Sequence, residues 1–322
     1  NFNDRDPIKL FWNFFDVKIN DISAGFQVNI SKKYRKYIFD PINGRNNVSN
    51  IKIAKVFNTN AKPLLLELKC EDPTTKIVTI SSQIILKKGD DIRKDNGVIL
   101  MFKYMNQLWK DNGLKFYDKD VQAITYKCVP MGPDFGCIEF IPNCIELNKI
   151  NSIKNLYESD FSMLNSLIAT AAGSYIASFV LGIRDRHSDN ILIRTDNGSL
   201  FHIDFGYSFG AKVSIDTNKL AITKDLSKVM GNKYKNFVDI ATQAYMILRT
   251  NSQELIDYAS VVFNTLHNAS IMDDFLRDSL KIDMTIDAAQ EYMDKKLREA
   301  PNKVKTKVKN LVHGIAQRMK GG

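Results

Sequence analysis

Little in these 322 residues favours disulfide or zinc chemistry. There are four cysteines (Cys70, Cys128, Cys137 and Cys144), none in a C-x-x-C pair, and four histidines. Reduced, buried thiols of a cytosolic protein are the expectation. Glycine (16) and proline (8) are scarce, which excludes a collagen-like or Pro/Gly-rich disordered chain. No secretory leader is visible in Asn1-Phe2-Asn3-Asp4-Arg5-Asp6, and because the first residue is not Met, further chain upstream is expected. Neither Gly-x-Gly-x-x-Gly nor a Walker loop occurs. What is present is the balance of a globular protein, 44% apolar and 25% charged residues. The length suits two domains or lobes at about 150 residues each, and a core large enough to need no staple.

The net charge of +9 is unevenly placed. Residues 295–322 hold nine Lys/Arg against the single Glu299, so the rest of the chain is close to neutral. In that tail Val304, Val308, Leu311, Val312, Ile315 and Met319 recur at helical spacing, which predicts an amphipathic helix with basic flanks. Such a helix can lie on an anionic membrane surface, or dock on its own domain by the same stripe. Nucleic acid is not an expected partner, because the tail carries no Phe, Tyr or Trp on which bases could stack.

Residues 1–46 mix aromatic clusters (Phe11, Trp12, Phe14, Phe15) with the basic run Lys32–Lys36 and read as an N-terminal helical or linker segment. A turn signal follows at Asn43-Gly44-Arg45. Leu64–Leu68, Ile77–Leu86 and Gly136–Ile141 read as strands, interrupted by a helix near 95–112. After residue 150 the patterns are mostly helical. Residues 161–183 carry no charge, so a membrane span must be weighed. However, Ser162, Ser166, Thr170, Ser174 and Ser178 recur every four residues on one face, and a buried core helix fits that polar stripe better.

Directly after that helix comes Gly182-Ile183-Arg184-Asp185-Arg186-His187-Ser188-Asp189-Asn190, then the apolar run Ile191–Ile193 and a turn at Asp196-Asn197-Gly198. A second run leads into Phe201-His202-Ile203-Asp204-Phe205-Gly206. Asn-Gly between two apolar runs predicts a hairpin, which brings Asn190 and Asp204 to the same end. Two hard oxygen donors there, with room for phosphate oxygens, suit Mg²⁺. Asp185 and Asn190 stand at the Asp-to-Asn spacing of the protein-kinase catalytic loop, and Asp-Phe-Gly matches its metal-binding turn. Either piece alone is weak; the two in order, joined by a hairpin, are specific.

The stretch resembles the phosphatidylinositol 3-/4-kinase family, whose catalytic loop reads Asp-Arg-His-x-x-Asn and whose metal turn reads Phe-His-Ile-Asp-Phe-Gly. Upstream, Lys87-Lys88-Gly89-Asp90-Asp91-Ile92-Arg93-Lys94-Asp95 resembles that family's Lys-x-Gly-Asp-Asp-Leu-Arg-Gln-Asp, and Asn58–Leu64 resembles its phosphate loop. The likeness covers roughly residues 50–320, in the family's order. It implies an α+β, bilobal protein-kinase-like fold: an antiparallel-sheet N-lobe over 47–145 and a larger, mainly helical C-lobe over 146–322. It also implies ATP with Mg²⁺ (or Mn²⁺). Thr59 and Lys62 would touch phosphates, Lys87 would reach the α-phosphate, and Asp95 would orient that lysine. Tyr126, Glu139 and Ile141 would line the adenine pocket. Asn190 and Asp204 would hold metal, and Asp185 or His187 would take the proton from the attacking hydroxyl. Arg186 belongs to the same catalytic loop, as an anchor more than a substrate contact. His202 reads as a structural hydrogen-bonder, and His267 and His313 have no sequence neighbours that suggest chemistry.

The reaction so implied is phosphoryl transfer to phosphatidylinositol, at ring position 3 in preference to 4, by a cytoplasmic enzyme peripheral on membranes. A regulatory subunit is left open. The acceptor-facing segment 207–224 has separated lysines, where an inositol ring bearing two phosphates would call for clustered cations. An unphosphorylated or singly phosphorylated headgroup therefore fits, and the start of the segment looks most like 3-kinases acting on plain phosphatidylinositol. Two features depart from the pattern: Arg184 stands where the family usually has Gly, and the segment lacks that group's prolines. A protein Ser/Thr kinase of the phosphatidylinositol-kinase-related group is the alternative, and a non-catalytic nucleotide-binding scaffold is a third reading. Neutralising Lys303, Lys305, Lys307 and Lys309 is expected to weaken binding to anionic vesicles by up to ~1 kcal/mol per charge. Vesicle co-sedimentation checks this; unchanged affinity would leave the tail as a docked terminal helix.

Overall fold

The computed structural model describes residues 23–58, 62–72, 74–75, 77–184, 186–206, 208–209 and 220–302. Thr59, Asp185, most of 207–219 and the basic tail from 303 lie outside the described residues. The described part forms two compact units. One comprises the chain up to Asn96 together with Tyr126–Ile141; the other comprises Gly97–Thr125 and the chain from Pro142 on.

The first unit is built on a six-stranded, fully antiparallel sheet. Its strands are β1 (Gln27–Asn29), β2 (Asn47–Val56), β3 (Leu64–Glu71), β4 (Val78–Lys88), β7 (Cys128–Gly132) and β8 (Phe135–Glu139), in spatial order β1-β2-β3-β4-β8-β7. The three expected strand runs fall on β3, β4 and β8. Alternation explains the core: Leu64, Leu66, Leu68 and Cys70 of β3 pack with Ile51 and Ile53 of β2 and with Ile84 and Leu86 of β4. The segment expected to be helix or linker departs from that reading in its described part. Besides the short helix α1 (Lys32–Arg35), it adds β1 to the sheet edge, paired Val28 to Ile51. A three-residue strand carries too few positions for alternation to show. Asp40 is buried in this unit and accepts from Ile42 N (2.8 Å) and Ser82 Oγ (2.5 Å). Burial first, and Asp40 second, push the Cys70 and Cys137 thiols up to about 12, so both stay protonated and unreactive at neutral pH.

Helix α2 (Ile92–Asp111) begins in the first unit and ends in the second. Its far half joins the helical unit because its partners lie there. Trp109 Nε1 donates to Ala244 O (2.9 Å), and the Asn106 amide both donates to and accepts from the Ala123 backbone (2.8 Å each). These bonds give the unit boundary its interleaved form, in place of a single cut near 145. The second unit also holds β5 (Lys115–Phe116), β6 (Lys119–Asp120), α3 (Lys154–Ser159) and a three-stranded sheet ordered β11-β10-β9 (Leu200–His202, Ile191–Arg194, Cys144–Glu146).

At the centre of this unit runs α4 (Phe161–Val180), capped by Asp160, which accepts from Ser162 N and Met163 N. It is long and apolar enough to cross a membrane, yet fifteen of its twenty residues are buried within the fold. The polar stripe explains how. Thr170 Oγ1 accepts from Leu200 N (2.9 Å), Ser174 Oγ donates to Leu200 O (3.3 Å), and Ser178 Oγ shares a 2.6 Å bond with His202 Nδ1. Thr170 and Ser174 serve the N–H and carbonyl of one residue, Leu200; from Ser174 to Ser178 four helical residues rise about 6 Å against about 6.6 Å for the two strand residues from Leu200 to His202, so the stripe keeps step there with β11. Gly173 stands where the chain at Gln122–Ala123 crosses the helix, and a methyl there would overlap the Gln122 carbonyl. Gly173→Ala is therefore expected to cost roughly 1–3 kcal/mol, read as a lowered urea midpoint with unchanged slope.

Candidate active site

The catalytic-loop sequence begins where α4 ends. Gly182 takes a left-handed φ of 58°, with Gly182 N donating to Phe179 O (3.1 Å) and Ile183 N to Ser178 O (2.9 Å). This is the Gly-terminated helix end that releases the chain in a new direction. Beyond the loop, β10 and β11 form the expected hairpin, with Ile191 opposite His202. Ile203 N donates to Asn190 O (3.0 Å), so Asn190 and the residue before Asp204 are bonded at one end of it.

Arg186 ties this end together. It is 4% exposed, and its guanidinium donates to Ile203 O (2.6 Å), to Asn190 O (3.4 Å) and to Asp204 O, while Nε donates to Arg184 O (3.0 Å). The same group lies over the Phe205 ring, 5.6 Å from its centroid, and Phe205 is buried edge-on to Phe102. The chain at Asp204 is left-handed (φ 63°), a conformation Asp tolerates better than most residues. Between the buried His202 and the buried Phe205, Asp204 itself is exposed. Four and five residues beyond Asp204, Ser208 and Phe209 are buried, and Phe209 N donates to Leu181 O (2.8 Å).

His187 is buried, and its Nδ1 accepts from Asp189 N (3.3 Å). Asn148 Nδ2 donates to Asp189 Oδ1 (3.2 Å) on the same turn. Asp185 lies outside the described residues. His202 is 1% exposed, bonded to Ser178 and edge-on to the Tyr175 ring (5.0 Å). Burial, and then the Arg186 charge, hold it well below the usual imidazole range, so it is neutral. His202, two positions before Asp204, is thus packed against the central helix, as a structural hydrogen-bonder would be.

In the first unit Lys87 lies near the end of β4 opposite Gly136, with Nζ 3.4 Å from Asp90 Oδ2. Asp91 starts α2: its carboxylate accepts from Arg93 N and holds the Arg93 guanidinium at 2.8 Å twice, which lowers the Asp91 carboxyl below its ordinary range. Asp95 is buried in the first turn of α2. Tyr126 is buried just before β7. At the end of β8 the N–H groups of Glu139 and Phe140 donate to Lys127 O (2.8 Å) and Gln83 O (3.0 Å), and Glu139 Oε2 accepts from Lys127 N (2.9 Å). Glu139 N–H is therefore occupied within the sheet, and any ligand contact at this edge falls on the Glu139 carbonyl or on the Ile141 backbone. Thr59 lies outside the described residues. The base of its loop is closed by Phe57 N donating to Pro63 O (2.9 Å), with Lys62 exposed at φ 43°.

Among the described residues no three His, Cys, Asp or Glu side chains gather as a metal cluster. The donor chemistry at the hairpin end, an amide oxygen and a carboxylate, suits a hard divalent ion that completes its shell with phosphate and water. One residue that sequence reading passed over is His267, whose Nε2 lies 3.1 Å from Ser208 Oγ. The two are 59 residues apart, and no local signal links them.

A family model described as Phosphatidylinositol 3- and 4-kinase matches residues 81–163 and 153–271. Among curated proteins, the chain is 28% identical over 294 residues to Phosphatidylinositol 4-phosphate 3-kinase C2 domain-containing subunit beta of Homo sapiens (81% of this chain, 17% of that protein). It is 29% identical over 294 residues to Phosphatidylinositol 3-kinase C2 domain-containing subunit gamma of Homo sapiens (81% and 19%). It is 29% identical over 288 residues to Phosphatidylinositol 3-kinase 3 of Dictyostelium discoideum (80% and 16%). The chain thus spans less than a fifth of the length of these relatives.

The neutral state of His202 has a signed consequence. The unfolded chain binds a proton at His202 near pH 6.5 and the native one does not, so this contribution is full above about pH 6.5 and is lost as pH falls. Unfolding free energy is expected to drop by up to about 1.4 kcal/mol per pH unit below that point. Urea titrations of wild type and His202→Phe at pH 7.5 and 5.5 check this: the drop should shrink by that amount in the variant, and equal drops would contradict it.

Proposed function

The chain belongs to the phosphatidylinositol 3- and 4-kinase family, and on that premise we propose that it transfers the γ-phosphate of ATP to an inositol-ring hydroxyl of phosphatidylinositol. The observation that carries the reading is the Asn190–Asp204 hairpin end, locked by Arg186 within the family-matching stretch. Ring position 3 is preferred to 4, because the curated relatives are named as 3-kinases. The separated lysines Lys212, Lys219 and Lys224 favour a headgroup with no phosphate or one.

Each residue then has a physical task. Lys87 meets the α-phosphate, and Asp95, buried at the start of α2, orients it. Thr59, Lys62 and the backbone of their loop hold the outer phosphates. Tyr126 and the backbone at Glu139 and Ile141 receive adenine. Asn190 and Asp204 hold Mg²⁺ or Mn²⁺, which when bound neutralises charge on the phosphates during transfer. Asp185 or His187 accepts the proton of the ring hydroxyl. With Nδ1 accepting from Asp189 N, the neutral His187 ring carries its proton on Nε2, so it takes the hydroxyl proton at Nε2 only if that bond is released and the ring proton sits on Nδ1. Arg186 is a positioning residue, because its guanidinium donates to the Asn190, Ile203 and Asp204 carbonyls. A basic C-terminal helix would bring the chain to the cytoplasmic face of an anionic membrane.

Labelled ATP offered with phosphatidylinositol vesicles and a generic protein substrate side by side tests the reading. Label is expected in lipid, and label in protein alone would overturn it. Asp204→Ala should lower transfer by at least about a hundredfold through loss of a metal ligand; near-normal turnover would contradict the metal assignment.

A further inference from the structure

We propose that His267 is a positioning residue for the lipid acceptor, acting through its bond to Ser208; this rests on the lipid-kinase reading above. Upstream, Asp204 is held independently. Its carbonyl is bonded by Arg186, and the next residue, Phe205, is buried against Phe102. Downstream, the chain is fixed again at Ser208 and Phe209, where the acceptor segment begins. Ser208 is 2% exposed, and its hydroxyl meets His267 Nε2 at 3.1 Å. Phe209 adopts a left-handed φ of 50° and donates its N–H to Leu181 O (2.8 Å), at the root of the catalytic loop. The Phe209 ring sits edge-on to His267 (4.9 Å) and to Phe263 (4.9 Å).

His267 is itself held from outside the site. It lies in the turn between α5 (Ser252–Val262) and α6 (Ala269–Leu280), and its N–H donates to Phe263 O (3.1 Å). A left-handed phenylalanine is a costly backbone conformation that persists only where neighbours over-determine it. His267 supplies both a packing surface and a hydrogen bond at that point. Without the bond, the buried Ser208 hydroxyl loses a partner and the root of the acceptor segment loosens. The metal turn keeps its own anchors. The expected effect therefore falls on lipid recognition and leaves nucleotide recognition alone.

The test is steady-state kinetics of the full chain on phosphatidylinositol vesicles with wild type, His267→Ala, His267→Gln, His267→Phe and Ser208→Ala. Glutamine can reach the Nε2 position, whereas phenylalanine keeps the ring and loses the bond. His267→Ala and His267→Phe should raise KM for lipid about fivefold, the scale of one hydrogen bond, with KM for ATP unchanged. His267→Gln should restore it, and His267→Ala combined with Ser208→Ala should be no worse than either alone. Unchanged lipid KM in His267→Ala, or His267→Phe matching wild type, would overturn the proposal while leaving the lipid-kinase reading intact. Wild type that phosphorylates no inositol lipid would sink both.

Discussion

One buried cation fixes the geometry on which the site depends. Arg186 places a guanidinium where three carbonyls converge, those of Asn190, Ile203 and Asp204. Charge-assisted bonds of this kind are stronger than neutral ones, and a planar fork can reach several acceptors at once. A lysine could not match it. Burial first, and the same charge second, keep His202 neutral. The loop before the hairpin and the turn after it are thereby tied by one side chain into a single hydrogen-bonded body.

That body is carried by the central helix. The hydroxyls of Thr170, Ser174 and Ser178 are what an apolar helix needs to seat a strand whose edge is still unpaired. Each of these hydroxyls finds a partner on β11, so a hydrogen bond offsets its desolvation. Gly173 and Gly182 do separate jobs on the same helix: one admits a crossing backbone, the other turns the chain into the loop. In the sheet-based unit the alternating core holds β4 and β8 in register, and this fixes Lys87 opposite Gly136 and the Glu139 edge beside Lys127.

Local patterns explain which parts were legible beforehand. The hairpin could be read because Asn197-Gly198 lies between two apolar runs, and α4 because its polar residues repeat every four. The Lys87 and Asp95 stretch could be read by its likeness to a family. Other features were closed to such reading. Strand β1 is too short for a period to show. The interleaved unit boundary depends on Trp109 meeting Ala244, far along the chain. His267 looks inert in sequence and gains meaning only beside Ser208. The breadth of the Arg186 contacts needed coordinates as well, since backbone carbonyls leave no signature in residue identity.

The most direct measurement is anomalous diffraction from crystals grown with Mn²⁺ and a non-hydrolysable ATP analogue. The account predicts a manganese peak at about 2.0–2.3 Å from Asn190 Oδ1 and an Asp204 carboxylate oxygen, with phosphate oxygens completing the shell. Manganese bound to the nucleotide with neither side chain in its coordination sphere would contradict it.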